Sequence, residues 1–258
     1  MTITYDQIET FIGTYLWTLF RITAFITAAP IFGSRTIPVR AKLGFALVLT
    51  MMIVPLIAPM EPVPLLSADA ALITLHQIII GAAMGLVFQL VFTMFIIGGQ
   101  IIAYQMGLGF AQMIDPQSGT QVPVISQFYV IMVTLLFFAL NGHIAFIRLL
   151  IESFQLLPIK IDSFSRGGIW HLIDWSSQMF IGGLSVALPA VAAILLINFT
   201  FAVVTRSAPQ FNIFAIGFPI TLVMGFFVIL LTVNIILPHL THQLEFAIEV
   251  VRNMLSEK

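Results

Sequence analysis

Six long apolar runs constrain the fold of this 258-residue chain more than any other feature. They cover residues 11–32, 43–60, 70–103, 124–151, 178–204 and 211–238. A helix needs about 20 residues to cross roughly 30 Å of hydrocarbon, and each run is near or above that length. The runs are continuous rather than alternating, which favours helices over the strands of a membrane barrel. The pattern therefore predicts an all-α integral membrane protein with about six hydrophobic helices.

Composition supports this interpretation and excludes several functions. Hydrophobic residues make up 60% of the chain and charged residues 8%, whereas a soluble domain carries about 25% charged residues. The net charge of −1 offers no basic patch to nucleic acid. The absence of cysteine excludes disulfides and thiolate metal sites. We expect one polytopic domain spanning residues 1–258, in contact with lipid.

Charged residues in the loops predict an orientation. Basic residues crowd the loop between the first two runs, and acidic residues occupy the N-terminus and the next loop. The basic residues are Arg35, Arg40 and Lys42, and the acidic ones are Asp6, Glu9, Glu61 and Asp69. The positive-inside rule then places residues 33–42 in the cytoplasm and the N-terminus outside. Six crossings would put the 205–210 loop with Arg206 inside, and the 152–177 loop and the C-terminus outside.

No catalytic or cofactor motif is present in the sequence. It has no H-E-x-x-H, no G-x-S-x-G elbow, no Walker loop and no dinucleotide fingerprint. His239 and His242 are three residues apart but lack a third ligand nearby, and zinc sites in proteins use three or four protein ligands. We therefore expect neither enzymatic activity nor a metal or cofactor.

Arg21 is the one charge well inside an apolar run. Exposing it to lipid would cost about 2.5–3.5 kcal/mol at the centre of a helix, and no acidic residue within another run could pair with it. We expect its side chain to face a water-filled cavity, the carbonyl groups of a helix end, or a neighbouring subunit. The sequence leaves a structural role and a pore-lining role equally open.

Small residues and helix breakers indicate tightly packed, kinked helices. Gly81 and Gly85 form a GxxxG pair, which permits close approach of two helices. Prolines within or beside the apolar runs favour kinks; they are Pro30, Pro55, Pro189 and Pro219. Asn141-Gly142 predicts a further helix break inside the fourth run.

The C-terminal segment has amphipathic spacing. Its apolar face comprises Leu240, Leu244, Ala247, Ile248, Val251, Met254 and Leu255, opposite Glu245, Glu249 and Arg252. Such a segment either lies at the membrane interface, continues the preceding helix against its neighbours, or docks a partner.

Residues 105–123 are apolar yet poorly suited to a long helix. Gly107 and Gly109 allow unusual backbone conformations, and Asp115-Pro116 followed by Ser118-Gly119 is typical of a turn. Irregular backbone at membrane depth is tolerated only when it is buried in protein or lines a cavity. This stretch is either a gate or plug, or a connecting loop with an apolar docking face.

An ordered series of motifs resembles one known family. It begins with Arg21, Ala29-Pro30-Ile31-Phe32-Gly33, Ile37-Pro38 and Arg40; continues with GLGFAQMIDPQSG at 107–119, Leu136-Phe137-Phe138 and Asn141-Gly142-His143; and ends with Arg206-Ser207-Ala208-Pro209-Gln210-Phe211-Asn212 and Gly217. In this order the motifs resemble the FliR family of flagellar export-gate proteins, over nearly the whole chain.

The resemblance implies a fold and a role. It implies a FliP-like portion at 1–176 and a FliQ-like helical hairpin with an amphipathic C-terminal helix at 177–258. The family forms, with FliP and FliQ, a helical assembly that is the entry pore for unfolded flagellar subunits. FlhA and FlhB belong to the same apparatus, in the bacterial inner membrane at the flagellar basal body.

The resemblance also implies site residues. The pore plug would comprise Gly107, Leu108, Gly109, Phe110, Ala111, Met113, Ile114, Asp115, Pro116 and Gly119. Arg35, Arg40, Arg206, Pro209 and Asn212 would form contacts on the cytoplasmic side, where FlhB is expected. Independently of the resemblance, the GxxxG spacing of Gly81 and Gly85 predicts that this pair packs helices together.

Three other functions fit parts of the sequence less well. The homologous gate subunit of a virulence-type injectisome shares the implied fold, although the DPQSG motif at 115–119 favours the flagellar branch. A secondary transporter would need ionisable groups near mid-membrane, for which Arg21 is the one clear candidate. An intramembrane hydrolase would need a nucleophile and a base, which the sequence lacks.

Overall fold

The computed structural model describes residues 5–57, 60, 62–109, 123–160, 166–207 and 213–256. Within these ranges every regular element is a helix, which confirms the predicted all-α class. The helices are α1 (Tyr5–Ala28), α2 (Val39–Ile53), α3 (Ala68–Gln105), α4 (Val124–Ala139), α5 (Gly142–Leu156), α6 (Arg166–Ser207) and α7 (Ile213–Ser256), with a 3-10 turn at Val54–Leu56.

Five segments of the described chain are long and apolar enough to cross a membrane, and the bent α4–α5 pair makes a sixth if it counts as one span. The five are Gln7–Ala28, Val39–Leu56, Ala68–Gln105, Gly167–Ser207 and Gly217–Ser256. They confirm the prediction of about six hydrophobic helices in a multi-pass membrane protein. At about 1.5 Å per residue, the 42 residues of α6 and 44 of α7 make each helix roughly twice as long as the hydrocarbon is thick.

The helices extend beyond several of the predicted runs. α6 begins at Arg166 instead of near 178, and α5 continues to Leu156. The predicted 152–177 loop is therefore wrong in extent. Hydropathy misses these helix ends because an amphipathic turn has no continuous apolar run.

The C-terminal amphipathic segment is a direct continuation of α7, which runs through Pro238 to Ser256. Six residues of the predicted apolar face are buried, namely Leu240, Leu244, Ala247, Val251, Met254 and Leu255. Glu245, Glu249 and Arg252 are exposed. Of the alternatives for this segment, the structure shows the continued helix packed on its neighbours.

The fourth apolar run is two helices, as the Asn141-Gly142 pair predicts. Asn141 adopts a left-handed conformation, with φ 56° and ψ 29°. Asparagine is one of the few residues that enter this region readily, because its short polar side chain bonds locally. The chain therefore ends α4 at Ala139 and starts α5 at Gly142.

The helices form two compact units. One comprises Met1–Leu90, Leu140–Ser176 and Leu244–Lys258, and the other Val91–Ala139 and Ser177–Gln243. The division into FliP-like residues 1–176 and FliQ-like residues 177–258 concerns resemblance rather than compactness, and it stays a prediction.

Aromatic contacts form the core of the first unit. The Phe146 ring of α5 lies 4.2 Å from the Phe88 ring and 5.7 Å from the Phe25 ring, between centroids. Trp175 is buried, donates from Nε1 to the Val87 carbonyl oxygen at 3.1 Å, and packs edge-on against Phe246. These contacts join α1, α3, α5, α6 and the end of α7.

Small residues bring the helices of the second unit close together. A Cβ at Gly99 of α3 would lie 2.6 Å from the Ser126 Cα of α4, and Ser126 Oγ donates to the Ile96 carbonyl oxygen at 2.9 Å. A Cβ at Gly98 would lie 3.1 Å from the carbonyl oxygen of Gly183 in α6. These spacings leave no room for larger side chains on the facing surfaces.

The Gly81/Gly85 pair packs α3 directly onto α1. A Cβ at Gly81 would collide with the Arg21 carbonyl oxygen, and one at Gly85 would lie 2.8 Å from the Phe25 carbonyl oxygen. Because Trp17 also donates from Nε1 to Thr74 Oγ1 at 3.1 Å, the contacts advance in the same direction along both helices. α1 and α3 are therefore parallel, as the first and third of three successive crossings should be.

We predict that Gly81→Ala lowers the free energy of unfolding by about 1–3 kcal/mol, because the added methyl group forces α1 and α3 apart. The measurement is the thermal unfolding midpoint of the chain purified in detergent.

Gly44→Ala is the matched control, because nothing lies within 4 Å of a Cβ at Gly44 in α2. There the gain in helix propensity should raise stability, by up to about 1 kcal/mol. Equal effects at the two positions would contradict the packing described for Gly81.

Candidate functional site

Arg21 lies within α1 with no exposed surface, and its guanidinium group joins three helices of the first unit. Nε donates to Gln77 Oε1 of α3 at 2.7 Å. Nη1 donates to the carbonyl oxygen of Ser153 at 3.0 Å and to its Oγ at 3.3 Å. Nη2 donates to the Leu157 carbonyl oxygen at 3.0 Å. Arg21 therefore connects α1 and α3 to the C-terminal end of α5.

The acceptors lie at the C-terminal end of α5. The Ser153 carbonyl oxygen also accepts from the Leu157 N–H at 3.0 Å, whereas the Leu157 carbonyl oxygen lies one residue past the helix and has no donor within it. The last carbonyl groups of an α-helix have no intrahelical donor, and α5 ends at Leu156. These carbonyls also carry the negative end of the helix dipole, where a cation is favourable. Arg21 thus caps α5 with a full positive charge.

Neutral groups and an aromatic ring surround this buried charge. The hydrogen bonds described for Arg21 all end on amide, carbonyl or hydroxyl oxygens. The Phe154 ring lies with its centroid 4.3 Å from the Arg21 guanidinium carbon, a cation–π distance. A planar guanidinium with five donors can reach several such acceptors at once, whereas the compact ammonium of lysine cannot.

Of the three environments expected for Arg21, the structure shows the helix-end carbonyls. The side chain has no exposed surface, so its visible role is to position helices. A pore or subunit contact of Arg21 stays a prediction. The sequence did not identify the hydrogen-bond acceptors of Arg21, although Gln77 is a polar residue within the third apolar run.

The start of the predicted plug is the end of α3. Gly107 has φ 83°, its N–H donates to the Tyr104 carbonyl oxygen at 3.0 Å, and the Leu108 N–H donates to the Ala103 carbonyl oxygen at 3.0 Å. This pair of bonds is a Schellman motif, which requires a left-handed residue at the position of Gly107. The glycine therefore has a structural reason to be there, since it ends the helix.

Met106 anchors this helix end. It is fully buried, and a Cβ at Gly225 of α7 would lie 2.6 Å from its side chain. Leu108 and Gly109 follow and are half-buried. The remaining predicted plug residues lie outside the described residues; they are Phe110, Ala111, Met113, Ile114, Asp115, Pro116 and Gly119.

The described residues predicted to make cytoplasmic contacts are accessible. Arg35 and Arg40 are exposed around the start of α2, and Arg206 is exposed near the end of α6. Pro209 and Asn212 lie outside the described residues. The assignment of these positions to the cytoplasmic side stays a prediction.

Metal-binding side chains do not cluster in the described part of the chain. No three His, Cys, Asp or Glu residues there lie close enough together to hold an ion. The half-buried Glu152 and the exposed Arg252 instead form an ion pair, with Arg252 Nε 2.9 Å from Glu152 Oε1. This pair joins α5 to the end of α7 within the first unit.

We predict that Arg21→Met lowers the free energy of unfolding by about 1–3 kcal/mol, because Gln77 Oε1 and the Leu157 carbonyl oxygen lose the donor that Arg21 supplies. Arg21→Lys should be no better, because it keeps the buried charge but cannot reach all the acceptors. Thermal unfolding of the purified chain in detergent measures both effects.

Arg40→Met is the control, because exposed substitutions usually change stability by less than about 0.5 kcal/mol. Full recovery of stability by lysine at position 21 would show that charge alone matters and would contradict the capping geometry.

Comparison with known proteins places the chain in a family. Residues 12–247 match the family described as bacterial export proteins, family 1. The chain is 35% identical to the flagellar biosynthetic protein FliR of Escherichia coli (strain K12) over 257 residues, covering 100% of this chain and 98% of that protein.

Two further relatives are also flagellar biosynthetic proteins FliR. FliR of Pectobacterium carotovorum subsp. carotovorum is 34% identical over 246 residues, covering 95% of this chain and 94% of that protein. FliR of Bacillus subtilis (strain 168) is 29% identical over 247 residues, covering 94% of each chain. The chain therefore belongs to the FliR family of bacterial export proteins.

Proposed function

We propose that this chain is a subunit of the flagellar type III export gate, where it forms with FliP and FliQ the pore for unfolded flagellar subunits. The observation that carries the proposal is the match over nearly the whole length of flagellar FliR proteins. Membership of this family makes the chain a component of a flagellar export apparatus. That it helps to form the pore is the additional proposal.

Exposed apolar faces on α6 and α7 support an assembled state. Large apolar surfaces of membrane proteins are covered by lipid or by other subunits. The exposed residues include Phe180, Leu184, Leu188, Leu196, Phe199, Val223, Phe226, Phe227 and Leu230. Because α6 and α7 exceed the thickness of the hydrocarbon, we propose that sister subunits cover part of these faces.

The packing of the first unit supports a scaffold rather than a catalytic role for its polar residues. Arg21 holds α5 against α1 and α3. We propose that this fixed group of helices gives the chain a defined shape to present to FliP and FliQ.

We further propose the remaining contacts within the apparatus. Residues 107–119 plug the closed pore, and the Schellman end of α3 fixes where that segment begins. Exposed Arg35, Arg40 and Arg206, with Pro209 and Asn212, contact FlhB on the cytoplasmic side, and FlhA lies in the same apparatus. The assembly resides in the inner membrane at the flagellar basal body.

We predict that affinity purification through a tag on this chain recovers FliP and FliQ, because the exposed faces of α6 and α7 need partners. Cells that lack the chain should export no flagellar subunits and show no swimming, and the tagged chain should restore both. The measurements are mass spectrometry of the purified assembly and the diameter of motility rings.

Cells that carry the tag on an unrelated inner-membrane protein provide the control for recovery. A stable monomer that recovers neither FliP nor FliQ, with motility unaffected by its loss, would contradict the proposed assembly.

We predict that Met113→Ala raises the ion leakage of the closed gate several-fold, because the plug loses a flexible side chain that seals the opening. Conductance of the purified assembly in planar bilayers is the measurement. Met52→Ala is the matched control, since Met52 is 66% exposed on α2 and lies far from residue 113 in the chain. Unchanged conductance for both variants would contradict the plug.

A further inference from the structure

The turn that follows α1 has an unusual backbone. Ile31 has φ 68°, and the N–H of Phe32 donates to the carbonyl oxygen of Pro30 at 2.7 Å. A positive φ with a bond between residues i and i+2 defines the rare form of the γ-turn, which is strained. The N–H of Gly33 then donates to the Ala29 carbonyl oxygen at 2.9 Å and closes the turn.

Isoleucine is a poor residue for this conformation. A branched Cβ at positive φ crowds its own backbone, and such residues persist only where surrounding contacts hold them. The other described non-glycine residue with positive φ is Asn141, whose side chain tolerates this region. Ile31 is therefore the strained position of the two.

Contacts from α2 hold the turn closed. The Phe32 ring stacks on the Phe45 ring, with centroids 5.8 Å apart and an interplanar angle of 13°. Lys42 Nζ donates to the Gly33 carbonyl oxygen at 2.9 Å. Lys42 and Phe45 are three residues apart and so share one face of α2.

The turn joins two candidate membrane spans at a point where the chain is accessible. α1 ends at Ala28 and α2 starts at Val39, and Ser34, Arg35 and Thr36 between them are exposed. A change of backbone conformation here would alter the approach of α1 to α2 without breaking a hydrogen bond inside either helix.

We propose that residues 29–33 form a strained latch between α1 and α2. Strain at Ile31 favours opening, whereas the Phe32–Phe45 stack and the Lys42 hydrogen bond favour the closed turn. Loss of these contacts releases the turn to an ordinary backbone conformation and lets the adjoining ends of α1 and α2 separate. The latch does not depend on the proposed export role.

Amide hydrogen exchange of Phe32, Gly33 and Ser34 tests the latch in the full chain reconstituted in lipid nanodiscs. Ile31→Gly should slow exchange about threefold or more, because glycine adopts positive φ without strain and the closed turn gains stability. Ile31→Asn, which retains a side chain, should also slow it. Phe45→Ala should speed exchange about tenfold, because the ring stack is lost.

Ile37→Gly is the matched control, since Ile37 lies in the same connection and is not among the described residues with positive φ. There glycine adds flexibility alone and should speed local exchange. Faster exchange in both Ile31 variants would overturn the proposal, because it would show an unstrained turn. Unchanged exchange in Phe45→Ala would overturn it as well, since the stack would then restrain nothing.

Discussion

The first unit depends on one buried cation and the helix end that it caps. A positive charge inside an apolar protein is costly unless it is hydrogen-bonded. Four hydrogen bonds offset this cost for Arg21: one to the amide oxygen of Gln77 on α3, two to the carbonyl oxygen and Oγ of Ser153, and one to the Leu157 carbonyl oxygen at the end of α5. The arrangement also supplies a donor to the Leu157 carbonyl oxygen, which lies past the last turn of α5.

Close backbone packing makes that geometry possible. Gly81 brings the backbone of α3 against the Arg21 carbonyl oxygen, so Gln77, about one turn earlier, lies within reach of the Arg21 side chain. A larger residue at position 81 would separate α1 from α3 and lengthen the bond to Gln77. Glycine packing and arginine capping are therefore parts of the same construction, and mutations at Gly81 and Arg21 should not act independently.

The sequence predicted the number and type of the elements better than their ends or their contacts. Apolar runs identify membrane spans because a helix needs a minimum length to cross the hydrocarbon. Asn141-Gly142 predicted the break between α4 and α5, because both residues tolerate backbone conformations that end a helix. The start of α6 was missed, since its amphipathic turns resemble a loop in a hydropathy profile. The continuation of α7 was one of three alternatives, and the sequence alone did not choose among them. The C-terminal face was nevertheless recognised from its helical spacing.

The candidate site was predictable only in part. Arg21 was conspicuous because it is the one charge deep in an apolar run, and helix-end carbonyls were among its expected partners. Ser153 and Leu157 could not be named, because they are more than 130 residues away in the sequence and hydrogen bonds to carbonyl oxygens leave no trace in residue type. The strain at Ile31 was equally hidden, since nothing in its side chain favours the conformation that its neighbours impose.

The proposed assembly can be tested by an electron cryo-microscopy structure of the complex purified through this chain. We expect FliP and FliQ to cover the apolar faces of α6 and α7, with the Arg21 guanidinium still hydrogen-bonded to the Ser153 and Leu157 carbonyl oxygens. A structure in which lipid alone covers α6 and α7, or in which Arg21 opens into the pore, would contradict it.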